Sequence, residues 1–333
     1  MRLLFWIVVL VLVAGCGTPS FLITPVANSN ILDEQELQAG SWGGGKVVII
    51  PVEGVIANAR MGGLLQPTEN VLSLFTQELE KAAADPEVKA VVLRVNSPGG
   101  TVTASDAMYQ LLKRFRAHTG KPVVASAQEV AASGAYYVSC GADKIVAQPS
   151  SLVGSIGVIF ETLEFEGTLQ KIGVSAGAIK SGSLKDMGSP FRSMKPSERE
   201  VFQSMVEEDF AGFIKIVTDN RPNVEKPVSD LTQYAESNYG GTYSGRVWSG
   251  RKAMELGLVD QLGLLEDAVA LAKQLAGAPR AGTVMYMRPY GYGGSIYASN
   301  VVPAPKAESL TLQLPGQSQI LPSGMYYLWQ PGQ

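Results

Sequence analysis

The chain alternates short runs of β-branched residues with segments whose apolar residues recur at helical spacing. Strand-like runs at Val47–Val52 and Val88–Val95 enclose the segment Thr68–Ala84, where apolar residues recur every three or four positions. A helical segment at Ala104–Arg116 and a strand-like run at Pro122–Ala127 continue the pattern. This alternation predicts an α/β domain with a largely parallel sheet.

The pattern also divides the chain into regions. Residues 16–45 are polar and rich in turn-forming residues, which predicts a flexible tether, and folding is expected to begin at residue 46. Residues 281–333 are dominated by Tyr, Gly, Pro, Ser and Gln without a sustained period, which predicts a low-complexity tail after a folded domain at 46–280. Within that domain, further elements are predicted as follows: strands at Lys144–Ala147, Val158–Glu161 and Val174–Ile179, and helices from about Ser133, at Pro196–Asp219 and at Leu265–Leu275.

The first residues are typical of an export signal. The apolar run Leu3–Val13 follows Arg2, and it is shorter than the roughly 17–25 residues that a membrane-spanning helix needs. Small residues then lead to Cys16 in a segment that resembles a bacterial lipobox, so we expect residues 1–15 to be removed and Cys16 to carry lipid. An ordinary signal peptide cut nearby and an uncleaved short anchor are the alternatives. In each case the bulk of the chain leaves the cytoplasm.

Composition excludes several kinds of site. A net charge of -3 and the lack of a long basic run argue against a nucleic-acid partner. With Cys16 lipidated, the second of the two cysteines, Cys140, has no partner for a disulfide or a metal site. The chain has one histidine, His118, at a position typical of a helix C-terminus, so a Ser-His-Asp triad and an HExxH zinc site are not expected. No metal or cofactor is expected.

Three short segments carry candidate chemistry, and each has a plainer interpretation. Ser133 lies where a strand gives way to a helix, a setting that favours a nucleophile and its oxyanion but also suits an ordinary helix cap. Gly100 ends the segment Ser97-Pro98-Gly99-Gly100, where a backbone N–H can approach a substrate closely or simply form a turn. Lys185 lies in a Gly/Ser-rich segment; it acts as a base only if burial keeps its amine neutral, and most such lysines are solvated.

These segments, together with residues 152–158 and 245–260, resemble the signal peptide peptidase A family of bacterial serine peptidases over Val47–Leu275. The spacing between Ser133 and Lys185 matches that family. The resemblance implies specific roles: Ser133 as nucleophile, Lys185 as general base, Gly100 and Gly134 as oxyanion-hole donors, and Ser155 as the hydroxyl that orients the lysine amine.

The resemblance also implies a fold and partners. The expected fold is that of Clp protease and crotonase, built from repeated strand–strand–helix units, with a single catalytic copy. A homo-oligomer such as an octamer is expected, in which Ser133 of one protomer meets Lys185 of its neighbour. The implied substrates are signal peptides left in the membrane after export.

Two other functions fit the same fold. A crotonase-like enzyme acting on acyl-CoA would also use glycine N–H groups to stabilise an oxyanion, but coenzyme A is cytoplasmic and this chain is expected to be exported. An inactive surface lipoprotein would keep the fold as a binding module. The presence of both Ser133 and Lys185 argues against the second alternative.

Overall fold

The computed structural model of the protein describes residues 31–59, 69–224, 241–288 and 324–329, and the main folded unit begins at Leu32. The strands within these residues are β1 (Asp33–Gln38), β2 (Lys46–Glu53), β3 (Val88–Ser97), β4 (Gly99–Thr101), β5 (Val123–Ala132), β6 (Lys144–Ala147), β7 (Leu152–Gly154), β8 (Ile159–Glu161), β9 (Val247–Ser249), β10 (Gln261–Leu262), β11 (Gly282–Met287) and β12 (Gly324–Leu328). The helices are α1 (Val71–Ala84), α2 (Val102–Thr119), α3 (Gly134–Ser139), α4 (Glu166–Lys171), α5 (Pro196–Asn220), α6 (Gly250–Glu255) and α7 (Leu265–Leu275).

A nine-stranded, mainly parallel sheet forms the centre of the described fold, in the order β1-β11-β2-β3-β5-β6-β10, and β7 joins it between β5 and β9. A second sheet has three short strands in the order β4-β12-β8. The predicted α/β fold with a largely parallel sheet is confirmed.

The central strands are apolar on both faces because helices cover both. In β2, Val48 and Ile50 pack in the cluster that contains residues of α1 and α2, whereas Val47 and Ile49 pack in the cluster that contains residues of α7. Successive side chains of a strand point to opposite faces, so a continuous run of β-branched residues fills both cores. The uninterrupted apolar pattern in the sequence therefore has a direct structural cause.

Strand prediction was wrong at one place. Val174–Ile179 has no regular secondary structure, and Val174 and Ile179 are exposed. Its β-branched residues fit the local pattern, but a strand is stable only when a neighbouring strand completes its hydrogen bonds, and none of the described strands pairs with this segment.

Both ends of the main sheet differ from the sequence prediction. Strand β1 lies inside the stretch predicted to be a tether, and β11 lies inside the stretch predicted to be a low-complexity tail. β11 pairs in parallel with β2, and β1 pairs antiparallel with β11. The polar sequence of β1 suits an edge strand, where charged side chains discourage further pairing.

The predicted membrane anchor falls on residues that the structure does not describe. Residues 1–15 and Cys16 lie outside the described residues. In the ranges that are described, none of the helices combines the length and the apolar character needed to cross a bilayer. The other cysteine, Cys140, is fully buried, and this burial raises the pKa of its thiol to about 11, so the thiol stays protonated.

An ion pair between a buried arginine and an exposed aspartate connects the end of α5 to the sheet. Arg221, only 4% exposed, donates from Nη1 to Asp260 Oδ2 over 2.6 Å. The same carboxylate accepts the Ile145 N–H at 2.8 Å and the Lys144 ammonium at 3.0 Å. Asp260 therefore links α5, β6 and the start of β10.

We expect Asp260→Ala to lower the free energy of unfolding by about 3 kcal/mol, because it leaves the buried Arg221 charge without its partner. Asp219→Ala is the matched control: it removes an exposed ion pair with Lys215 and should change stability by less than about 0.5 kcal/mol. Urea unfolding monitored by circular dichroism measures both. Equal effects of the two substitutions would contradict this role of Asp260.

Candidate active site

Ser133 lies at a sharp turn between β5 and α3. Its backbone has φ 52° and ψ −119°, a conformation that non-glycine residues rarely adopt and that costs on the order of 1–3 kcal/mol. Two backbone hydrogen bonds hold it: Ser133 N–H donates to Gly154 O at 2.7 Å, and Tyr137 N–H donates to Ser133 O at 2.9 Å. The Ser133 side chain makes no capping hydrogen bond to α3. The plainer interpretation, a serine that caps the helix, therefore does not describe this hydroxyl.

Ser155 occupies the equivalent position on the neighbouring strand. Strands β5 and β7 are parallel, with Ala132 opposite Gly154, so the residue after each strand lies at the same edge of the sheet. Ser155 has φ 51°, and it and Ser133 are the non-glycine residues with positive φ in the described part of the chain. The Ser155 N–H donates to Arg246 O at 2.8 Å. The parallel pairing thus brings both serines to one edge.

Glycine backbone forms the wall beside Ser133. A Cβ on Gly134 would lie 2.3 Å from Ser105 Oγ and 3.2 Å from Gly100 N. A Cβ on Gly99, whose φ is +100°, would lie 2.6 Å from Gly134 N. The amides of Gly100 and Gly134 are therefore close neighbours, and side chains at these glycines would separate them. Two convergent N–H groups beside a serine hydroxyl are the arrangement that stabilises an oxyanion.

Lys185 lies elsewhere, on an exposed turn. Within the described residues no hydrogen bond joins it to Ser133, whose own side chain is buried. The structure of one chain therefore brings together four of the residues singled out in the sequence and leaves Lys185 apart from them. The four are Ser133, Gly134, Gly100 and Ser155.

The side chain of Asp186 holds the turn that carries Lys185. The Asp186 carboxylate accepts hydrogen bonds from Arg192 Nε at 3.0 Å and Nη2 at 2.9 Å, and it also pairs with Lys180. The Arg192 guanidinium, followed by the Lys180 ammonium, holds the pKa of Asp186 far below its usual range. Arg192 also binds the buried Glu198 at the start of α5, over 2.6 and 2.9 Å. Lys185 is thus presented outward by a fixed turn.

His118 has the predicted structural position. It lies in the last turn of α2, and Gly120 follows with φ 67° and an N–H that donates to Arg116 O at 2.9 Å. This left-handed cap is the usual way for a helix to end.

Sequence reasoning missed one element of the site altogether. Strand β12, from the stretch predicted to be a low-complexity tail, pairs with β4, and Tyr327 lies opposite Gly100. The apolar run Met325–Trp329 is the signal that would have indicated a strand, although at five residues it carries little periodicity.

The chain is similar to known peptidases. Residues 116–279 match Peptidase family S49, and residues 60–153 match Clp protease. A protein of Enterococcus faecium named as a signal peptide peptidase SppA is 35% identical over 74% of this chain and 68% of its own length. Protease 4 of Salmonella typhi is 37% identical over 70% of this chain and 35% of its own, and the chloroplastic serine protease SPPA of Arabidopsis thaliana is 33% identical over 70% of this chain and 33% of its own.

A strained serine beside paired glycine amides, on a Clp protease-like fold, defines a serine peptidase. The matches over most of the folded region place the chain in peptidase family S49, to which it belongs. A solved 1510-N membrane-bound stomatin-specific protease mutant covers 69% of this chain and 84% of its own at 13% identity and a TM-score of 0.40, a likeness too low to support an argument.

We expect Gly134→Ala to reduce peptidase activity by about 10²-fold or more, because the new methyl group would clash with Ser105 Oγ and push the Gly100 amide away from the oxyanion position predicted for it. Gly212→Ala in α5 is the matched control, since a Cβ there meets nothing within 4 Å, and it should leave activity unchanged. Initial rates on a fluorogenic peptide, with melting temperatures as a check of folding, measure the effect. A fully active Gly134→Ala enzyme would show that this wall has no part in the reaction.

Proposed function

We propose that the protein is a serine endopeptidase with a Ser133/Lys185 dyad that degrades signal peptides or other membrane-associated peptides outside the cytoplasm. The observation that carries the proposal is Ser133 itself, held at positive φ with its hydroxyl unused by the helix and with two glycine amides beside it. The names of the S49 relatives support the substrate class. The predicted signal at residues 1–15 and the lipid site at Cys16 support the extracytoplasmic, membrane-attached setting.

The proposed reaction is acyl transfer. The neutral amine of Lys185 takes the Ser133 proton, and Ser133 Oγ attacks the carbonyl carbon of the peptide bond. The amides of Gly100 and Gly134 bind the oxyanion that forms, and the Ser155 hydroxyl orients the lysine amine. The amine of the departing peptide takes the proton from Lys185. Water then hydrolyses the acyl-enzyme and restores Ser133.

We propose further that Lys185 comes from a neighbouring protomer in a homo-oligomer such as an octamer. In one chain Lys185 is exposed, and a lysine acts as a base only when burial lowers its pKa enough to keep the amine neutral. The segment around it also exposes many large apolar side chains, as expected of a surface that packs against another copy. These are Leu163, Phe165, Ile172, Val174, Ile179, Leu184 and Phe191.

Mixing two inactive variants tests the dyad and its division between protomers. Ser133→Ala and Lys185→Ala should each lose at least about 10³-fold in kcat, because each removes one half of the nucleophilic pair. When the two proteins are dissociated, mixed and reassembled, activity should return, because some sites then combine Ser133 of one protomer with Lys185 of the next.

This mixing test has one control variant and two results that would contradict the proposal. Lys171→Ala, which removes an exposed lysine at the end of α4, should keep full activity alone. Full activity of Lys185→Ala would exclude the dyad. Two inactive variants that stay inactive after mixing, in assemblies shown by mass spectrometry to contain both, would place the dyad within one protomer.

A further inference from the structure

Arg192 joins the turn that carries Lys185 to the long helix α5. Its guanidinium donates to the Asp186 carboxylate from Nε at 3.0 Å and from Nη2 at 2.9 Å, and Nη2 also donates to Asp186 O at 3.0 Å. On its other side it donates from Nη1 to Glu198 Oε2 at 2.9 Å and from Nη2 to Glu198 Oε1 at 2.6 Å. One side chain thus binds both the residue next to Lys185 and the start of α5.

The backbone hydrogen bonds of the turn are local. The Lys185 N–H, for example, donates to Gly182 O at 3.2 Å, which bends the chain without attaching it to another element. The turn also approaches α5 at Gly188, where a Cβ would lie 3.1 Å from Cζ of the Phe202 ring. A contact of this kind sets a distance, whereas the hydrogen bonds of Arg192 also set an orientation, because they are directional.

Helix α5 gives the turn a stiff support. Three residues near the C-terminal end of the helix are buried in the main core: Phe213, Ile214 and Val217. At the N-terminal end the buried Glu198 accepts the Lys195 N–H at 3.2 Å, which closes the first turn of the helix. The 25 residues of α5 span roughly 37 Å at 1.5 Å per residue. The position of Asp186 relative to the core is therefore transmitted through Arg192 and this helix.

The chemistry of Arg192 suits a fixed link. Its planar guanidinium binds two carboxylates at set angles, which the flexible ammonium of a lysine does not do. The hydrogen bonds from Arg192 hold the pKa of Asp186 far below its usual range and also lower the pKa of Glu198, so both partners stay ionised near neutral pH. All three guanidinium nitrogens donate within the protomer, so Arg192 has none left for a substrate.

On the basis of the proposed Ser133/Lys185 dyad, we propose that Arg192 is a positioning residue for catalysis, which acts through the turn that carries Lys185. Its guanidinium fixes Asp186, and with it the backbone of Lys185, at a constant place relative to α5 of the same protomer. The lysine amine then reaches Ser133 already aligned when two protomers dock. Alignment matters because a misplacement of about 1 Å can cost on the order of 10²-fold in rate.

The first test is the steady-state kinetics of full-length Arg192→Ala. Its kcat should fall by about 10²-fold because Lys185 is no longer aligned, and its KM should stay within about twofold of wild type because the walls around Ser133 belong to other elements. Arg192→Lys keeps the charge without the planar fork, so it should recover only part of kcat. Arg199→Ala, which removes an exposed arginine near the start of α5, is the matched control and should leave both constants unchanged.

The second test places the same substitution in one kind of protomer at a time. In the mixture described above, Ser133→Ala protein supplies Lys185, and Lys185→Ala protein supplies Ser133. Arg192→Ala added to the Ser133→Ala protein should lower the regained activity by about 10²-fold, because it disturbs the lysine that is used. The same change added to the Lys185→Ala protein should have no effect, because the turn there carries no base.

Folding and assembly are checked in parallel by melting temperature and by the mass of the assembly. The expected loss of kcat in Arg192→Ala occurs with both unchanged. A loss that follows the melting temperature or the mass would reveal a structural role and would overturn the inference. If Arg192→Ala does not fold, Arg192→Lys replaces it in both tests.

Other results separate this inference from the function on which it rests. Full activity of Arg192→Ala, or equal losses in the two mixtures, would overturn the inference and leave the Ser133/Lys185 dyad standing. Full activity of Lys185→Ala would remove the dyad and the inference together. If the mixed proteins regain no activity, the dyad lies within one protomer, and the kcat of Arg192→Ala at unchanged melting temperature then decides.

Discussion

The site depends on the parallel pairing of β5 with β7. Because Ala132 lies opposite Gly154, the hydrogen bond from Ser133 N–H to Gly154 O is the next step of the same ladder, and it holds Ser133 at a φ of 52°. A strain on the order of 1–3 kcal/mol at this residue persists only because the sheet on one side and α3 on the other fix the backbone. The position of the serine hydroxyl is therefore a consequence of sheet register.

Close packing of backbone on backbone is the second constraint on the site. Around Ser133 the walls are main chain, because a Cβ on Gly100 would lie 1.9 Å from Ile56 O and one on Gly99 would lie 2.1 Å from Tyr327 O. Such contacts leave room for glycine only, and they place N–H groups rather than side chains next to the hydroxyl. The same contacts leave one edge of β4 available to an extended chain, and that edge is where β12 lies.

The sequence predicted the structure correctly where the burial that shapes an element also sets its local residue pattern. The buried strands β2, β3 and β5 were predictable because both of their faces are apolar, and Ser133 and Gly100 were identifiable as residues at the ends of such strands. The strand predicted at Val174–Ile179 was wrong because strand pairing is not a local property of the sequence. Strand β12 was missed for the same reason: its partners, β4 and β8, lie more than 150 residues away along the chain, and nothing in a five-residue run identifies them.

Lys185 is the proposed site residue that one chain does not bring to Ser133. Ser133, Gly134, Gly100 and Ser155 are positioned by a single packed sheet, so one protomer suffices to bring them together. Lys185 is presented outward on a turn held by Asp186 and Arg192, amid apolar side chains that face solvent. A base must lose water to become neutral, and a surface residue loses water only when another surface covers it. A turn fixed in advance would lower the entropy cost of the proposed docking of a second protomer, because its backbone is already ordered in the single chain.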